Sequence, residues 1–290
     1  MSETVAFLGA GGTMGRGMAA NILGAGISLR AWNRSRERAE PLAEQGAEVF
    51  GEAREAVAEA TVTVTMLPDA DAVVDVAEQA FADAPAGLIW IQMSTVGVAG
   101  TERCAALAEE RGVMLVDAPV QGTKQPAEKG ELIVLASGPQ QARERVEPIF
   151  DAVGKRTLWL GEAGTGTRLK MVTNSWLTAV VEGLAETLAL AEAADLDPRS
   201  FLEVIDGGPL DMPYMQMKAK AMIERDFEPS FRLALAAKDA RLAGELAERH
   251  ELDLPALRTI AARLTESAER YGDQDVAATF LTSAPDSEAR

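Results

Sequence analysis

The chain has 290 residues, 47% of them hydrophobic, and a formal net charge of -17. That length suits two domains better than one, and the acidity argues against nucleic-acid or anionic-membrane partners, which demand a basic surface. One cysteine (Cys104) and one histidine (His250) make an intrachain disulfide and an ordinary zinc site impossible, and no run of about 18 apolar residues offers a membrane span.

In chain order, short β-rich runs alternate with alanine-rich helical runs. The strands read as TVAFLG, SLRAWN, AEVF, TVTVTML, LIWIQMS, VMLVDAP, LIVLAS and RTLWLG. Between them GEAREAVAEA and GTERCAALAEERG show helical periodicity. This alternation predicts an α/β domain, a Rossmann-type doubly wound parallel sheet covered on both faces. After Gly161 the pattern changes. A long amphipathic helix follows a glycine turn, and the segments from Pro198 to Gly272 also read helical, with no strand pattern. The expected organisation is a nucleotide-binding domain over 1–162 and an all-α domain over 163–290. The tail TSAPDSEAR is polar and expected to fray. His250, in the charged helix end LAERHELD, reads as a surface residue. With chemistry starting at Val5 and no leader expected, a reducing cytoplasm is the expected compartment.

The first strand runs into Gly9, Gly11, Gly12 and Gly15, and a helix follows. A strand, a glycine-rich turn and a helix N-terminus form an anion site, because free N–H groups point outward and glycine lets a pyrophosphate come close. Gly9, Gly11 and Gly15 give G-x-G-x-x-x-G, while Ala10, Gly12 and Gly15 give A-x-G-x-x-G. The turn is therefore wider than the usual fingerprint, or one glycine is displaced. Thr13 and Met14 complete it. After the second strand stands Asn33-Arg34-Ser35, with no carboxylate for a ribose 2′-hydroxyl. A guanidinium is present instead and forms charge-assisted forks with phosphate. The expected coenzyme is NADP(H). Met66, Leu67 and Pro68 follow the fourth strand, where they either line the coenzyme crevice or simply end the strand.

Lys170 and Asn174 share one face of the long helix, while Val172 and Trp176 fall on another face and read as core. Taken alone, Lys170 is either an ion-paired surface lysine or an acid placed by a developing alkoxide, where an ammonium both gives the proton and stabilises the charge. Lys238 and Asp239 likewise read as a solvated stripe or as cleft residues. The methionine-rich PLDMPYMQMKAKAM reads as helix core or a subunit seam, with an apolar lid carrying Tyr214 as a second proton donor the alternative.

Six blocks, FLGAGGTMGRGMAANIL, QMSTV, DAPVQGTKQPAEKGEL, GTGTRLKMVTNSW, KDARLA and GDQDVAA, together resemble the β-hydroxyacid dehydrogenase family over nearly the whole chain. That family includes 3-hydroxyisobutyrate dehydrogenases, tartronate semialdehyde reductases and glyoxylate/succinic semialdehyde reductases; the third branch is the most similar and uses NADPH. The resemblance implies that Ser94 and Thr95 lie beside nicotinamide and substrate, and that Gln121, Gly122 and Thr123 form the turn holding a substrate carboxylate. It implies Lys170 as proton donor and Asn174 as substrate-orienting. Lys238 would stand near the coenzyme with Asp239, and Phe231 would border the pocket. Gln121 departs from the family, which has a serine there, so the substrate class stays open. The expected activity is reduction of a small aldehyde or oxo acid by NADPH. The alternatives are imine reduction, against which Lys170 argues because those enzymes place Asp or Tyr there, and a non-catalytic coenzyme-binding scaffold. The expected partners are a small carbonyl compound and, from the resemblance, further copies of the chain in a homodimer or homotetramer.

Overall fold

A computed structural model describes residues 3–284; of the tail TSAPDSEAR expected to fray, 285–290 lie outside them, whereas Thr282 and Ser283 belong to the last helix and are hydrogen-bonded to Ser267 and Arg263. Packing divides the chain into two units, one up to Lys170 and one from Met171 onward.

In the first unit the strands are β1 (Thr4–Leu8), β2 (Ser28–Trp32), β3 (Glu48–Phe50), β4 (Val62–Thr65), β5 (Ile89–Gln92), β6 (Met114–Asp117), β7 (Val120–Gln121), β8 (Leu132–Ala136) and β9 (Gly154–Trp159). The helices are α1 (Gly15–Gly24), α2 (Ala53–Val57), α3 (Ala70–Ala80), α4 (Gly97–Arg111), α5 (Lys124–Lys129) and α6 (Arg143–Val153), with short 3₁₀ turns between some of them. Six strands form a parallel sheet in the order β3-β2-β1-β4-β5-β6.

Apolar residues in unbroken runs serve both faces of this sheet. Val5 and Phe7 of β1 join Ile89 and Ile91 of β5 in one core with Met18 and Ile22 of α1 and Ile149 and Phe150 of α6. Ala6, Leu8 and Trp90 point the other way, onto Val57 of α2, Val73 and Ala77 of α3, and Leu107 of α4. Alternation along each strand thus builds two cores from one sheet.

All eight expected strands exist, but the last two leave the main sheet. β8 pairs antiparallel with β7 and parallel with β9, in a separate three-stranded sheet. The cause sits after β6. Pro119 has no N–H to continue a ladder; its carbonyl instead accepts from the Leu135 amide (2.9 Å). A single antiparallel bridge, Asp117 to Ser137, ties the second sheet to the end of β6. The two-residue β7 carries no periodicity long enough to read.

The second unit is helical, as expected. It contains most of α7 (Thr165–Ala193), then α8 (Pro198–Ile205), α9 (Pro213–Glu224), α10 (Leu233–Arg249), α11 (Pro255–Tyr271) and α12 (Phe280–Ser283). Its core joins Val181, Leu184 and Leu188 of α7 to Met215 and Met222 of α9, Leu233 and Ala236 of α10, Leu264 of α11, and Phe280. Two methionines of the methionine-rich segment are thus core. Val172 and Trp176 are not: they are 58% and 65% exposed. A helix face can be apolar without being covered by its own chain, and side-chain type does not reveal the difference. His250 caps the C-terminal end of α10 and is exposed, as expected. No helix of the described residues is long and apolar enough to cross a membrane.

Candidate active site

The sheet order reverses between β1 and β4, and loops at the carboxyl ends of strands flanking such a reversal form a crevice. Gly9 leaves β1 with φ of +101°, and a Cβ there would lie 2.3 Å from the Met66 carbonyl oxygen. A Cβ on Gly15, at the start of α1, would lie 2.1 Å from the Gly9 carbonyl oxygen. Gly9, Gly11 and Gly15 each leave under 3.0 Å for a Cβ while Gly12 does not, so the register G-x-G-x-x-x-G describes the turn. The Gly12 amide donates to the Gly9 carbonyl (3.0 Å), a tight turn that takes up the extra residue. Met14 precedes α1 and offers no side-chain cap to its amides. Such an N-terminus suits an anion, so the backbone here fits a dinucleotide's pyrophosphate.

Asn33 ties this turn to the end of β2. Its Oδ1 accepts from the Gly11 amide (3.2 Å) and its Nδ2 donates to the Ser35 carbonyl (2.9 Å). Next to it the exposed Arg34 guanidinium has no hydrogen bond or ion pair among the described residues, whereas Arg36 is paired with Glu40 (2.8 Å). Two further arginines escaped the sequence reading. A Cβ on Gly11 would lie 2.7 Å from the Arg38 Cβ, and the Arg16 guanidinium donates to the Arg38 carbonyl (3.2 Å). The run Arg34-Ser-Arg-Glu-Arg38 held that information, but only the fold brings Arg16 to it.

Beyond β4, Met66 and Leu67 are half-buried and Pro68 is exposed. Ser94 is fully buried, and its Oγ accepts from the Leu67 amide (2.8 Å) while donating to the Thr65 carbonyl (3.4 Å). Its hydroxyl holds this loop, and the neighbouring Thr95 is the half-buried one.

Asp117, at the end of β6, is a residue the sequence did not single out. It is fully buried, and its carboxylate accepts from the Gly164 amide (3.1 Å), the Thr167 amide (2.9 Å), the Thr167 hydroxyl (2.7 Å) and the Ser137 hydroxyl (3.1 Å). Burial pushes its pKa up, against the downward pull of those hydrogen bonds. A carboxylate at a helix N-terminus satisfies orphan amides and complements the dipole, so Asp117 fixes where α7 starts. One turn on, Lys170 is only 6% exposed, and its ammonium donates to the Gln121 Oε1 (3.0 Å). Gly122, with φ of +131°, and Thr123 complete the turn after β7, and all three residues of that turn are half-buried.

In the second unit, Asn174 is buried and its Nδ2 donates to the Asp239 Oδ2 (2.7 Å). The Lys238 ammonium lies 3.2 Å from the other carboxylate oxygen. Phe231 is half-buried, and its amide donates to the Asp275 Oδ2 (3.1 Å). Asp275 also accepts from the buried Lys218 ammonium (2.7 Å). Burial raises the Asp275 pKa, but the Lys218 charge and the hydrogen bonds outweigh it, so the carboxyl is held below its usual range. The Tyr214 hydroxyl is buried with no hydrogen-bond partner among the described residues. Burial first, and the Asp275 charge second, push its pKa up, which makes it a poor proton donor.

Residues 4–161 match the family described as the NAD binding domain of 6-phosphogluconate dehydrogenase, and residues 164–281 match the NAD-binding domain of NADP-dependent 3-hydroxyisobutyrate dehydrogenase. Glyoxylate/succinic semialdehyde reductase 2, chloroplastic, from Arabidopsis thaliana is 33% identical over 280 residues, covering 95% of this chain and 78% of its own. The plant's reductase 1 is 31% identical over 282 residues, covering 94% and 96%. Among solved structures, Mycobacterium tuberculosis 3-hydroxyisobutyrate dehydrogenase with L-serine matches at a TM-score of 0.86 and 31% identity, covering 97% of this chain and 99% of its own.

Proposed function

Because the chain belongs to the β-hydroxyacid dehydrogenase family of NAD(P)-dependent oxidoreductases acting on CH–OH groups, we propose that it is an NADPH-dependent reductase of small aldehydes and oxo acids, in the glyoxylate, succinic semialdehyde and 3-hydroxyisobutyrate class. The observation that carries this reading is Lys170: a lysine at 6% exposure, one turn beyond a helix start fixed by Asp117, with its ammonium on a neutral amide.

The bound coenzyme supplies the hydride. In this reading Gly9, Gly11, Gly12, Thr13 and Met14 cradle its pyrophosphate. Arg34 and Ser35, joined by Arg38 and Arg16, take the 2′-phosphate, and Asn33 holds their loop against the turn. Met66, Leu67 and Pro68 give the coenzyme an apolar wall, which the Ser94 hydroxyl keeps in place, and Thr95 meets both ligands. Lys170 gives its proton to the carbonyl oxygen and stabilises the charge that develops there. Asn174 orients the substrate, with its amide held by Asp239. Gln121, Gly122 and Thr123 receive the far end of the substrate, Phe231 borders it, and Lys238 serves the coenzyme. Lys170 also speaks against imine reduction.

The test is a screen of NADPH and NADH oxidation over carboxylated aldehydes, uncharged aldehydes and cyclic imines. Turnover of carboxylated aldehydes with NADPH is expected. Turnover confined to imines, or equal use of NADH, would refute the proposal.

A further inference from the structure

Two buried polar side chains hold the first turn of α7. The amides of Gly164, Gly166 and Thr167 stand at the helix start, where a helix leaves donors without partners. The Asp117 Oδ2 accepts from Gly164 (3.1 Å) and Thr167 (2.9 Å), and the hydroxyl of Ser137, the residue after β8, accepts from Gly166 (2.9 Å). The Thr167 hydroxyl donates to the Asp117 Oδ1 (2.7 Å) and accepts from the Thr101 hydroxyl of α4 (3.0 Å). Asp117 and Ser137 are locked to each other as well: each amide donates to the other's carbonyl (2.9 and 2.7 Å), and the Ser137 hydroxyl lies 3.1 Å from the Asp117 Oδ2.

The turn has no space in which to shift toward this frame. A Cβ on Gly166 would lie 2.1 Å from the Leu135 carbonyl oxygen and 3.2 Å from the Asp117 carbonyl oxygen. The helix start therefore rests on the backbone of β8 and on the end of β6. Lys170 follows Thr167 by three residues, about 4.5 Å along the helix axis and near the same face. A displacement of the first turn is passed on to Lys170, and a misplacement of about 1 Å can cost a reaction a hundredfold. Asp117 and Ser137 are both fully buried, so neither is exposed to a ligand.

Resting on the reductase reading above, we propose that Asp117 and Ser137 are positioning residues for the reaction. They act through the first turn of α7, which sets the place of the Lys170 ammonium against the reacting carbonyl oxygen.

Asp117→Asn and Ser137→Ala are made in wild type and in Lys170→Ala, and followed by NADPH-dependent turnover of glyoxylate and by amide hydrogen exchange. An asparagine fills the same space but turns an N–H₂ group toward donors, and alanine removes one hydroxyl. In the wild-type background kcat falls by roughly tenfold or more in both variants, with the KM for NADPH within about twofold. In the Lys170→Ala background neither change lowers turnover further, because the group being positioned is gone. Exchange over 163–171 speeds up in both variants, while that of the β1–α1 turn stays as in wild type. Should Asp117→Asn fail to fold, Ser137→Ala carries the test. A kcat within about threefold of wild type, a fall of equal size in both backgrounds, or unchanged exchange over 163–171 overturns the assignment. If wild type oxidises NADPH with no carbonyl compound, the reductase reading fails, and the exchange result alone decides whether Asp117 and Ser137 hold the turn.

Discussion

At the scale of single residues, the proposed preference for NADPH rests on Arg34. It is exposed and has no hydrogen bond or ion pair among the described residues, while its neighbour Arg36 is already neutralised by Glu40. Charge-assisted hydrogen bonds contribute about 1.5–3 kcal/mol each, so Arg34→Ala should raise the KM for NADPH by roughly tenfold or more and leave that for NADH unchanged. Steady-state kinetics with both coenzymes checks this. Arg34 is proposed from its place after the second strand, where no carboxylate stands, and Lys170 from the family resemblance, since taken alone it reads equally as a surface lysine. Asp117 was not legible. Its partners lie 20 to 50 residues away, and nothing in DAP distinguishes a buried helix cap from a strand end. The resemblance implies Ser94 as a site residue, but the use of its buried hydroxyl within the protein was not legible, since hydrogen-bond partners do not follow from residue type.

At the scale of elements, the segment carrying Phe231 is held in place by an ion pair. Lys218 of α9 and Asp275 bury their charged groups at 3% and 4% side-chain exposure. Asp275 gathers the amides of Ser230, Phe231 and Ala277 as well. Removing one partner leaves the other charge buried, at a cost of about 3–5 kcal/mol. Asp275→Asn should therefore lower the melting temperature markedly at pH 7. The pH dependence has a definite sign. The Asp275 carboxyl is lowered below its ordinary value of 3.8, so its contribution is complete above about pH 4 and disappears as pH falls through the folded-state value. In thermal melts the gap between wild type and variant should hold from pH 7 to about pH 4 and narrow as the pH falls further; a gap that widens with acid would contradict the assignment. The strands and long helices themselves were readable from periodicity. The partition of β8 and β9 into a second sheet was not, because a buried parallel strand reads the same whichever neighbour it pairs with.

At the scale of the whole molecule, the expected α/β fold followed by helices is the fold observed, and family membership adds the chemistry. The main misreading is instructive. Val172 and Trp176 look like core residues in the sequence yet are more than half exposed, and an exposed tryptophan is the kind of residue that anchors an interface. The sequence resemblance implies a homodimer or homotetramer, so elution well above 30.8 kDa is expected, and light scattering that reports a monomer would contradict it. The account as a whole depends on Lys170 as the proton donor, and the most direct measurement is turnover by Lys170→Ala alongside NADPH binding followed by fluorescence. The expected result is NADPH binding close to wild type with kcat reduced by about 10²–10⁴-fold; turnover within tenfold of wild type would contradict it.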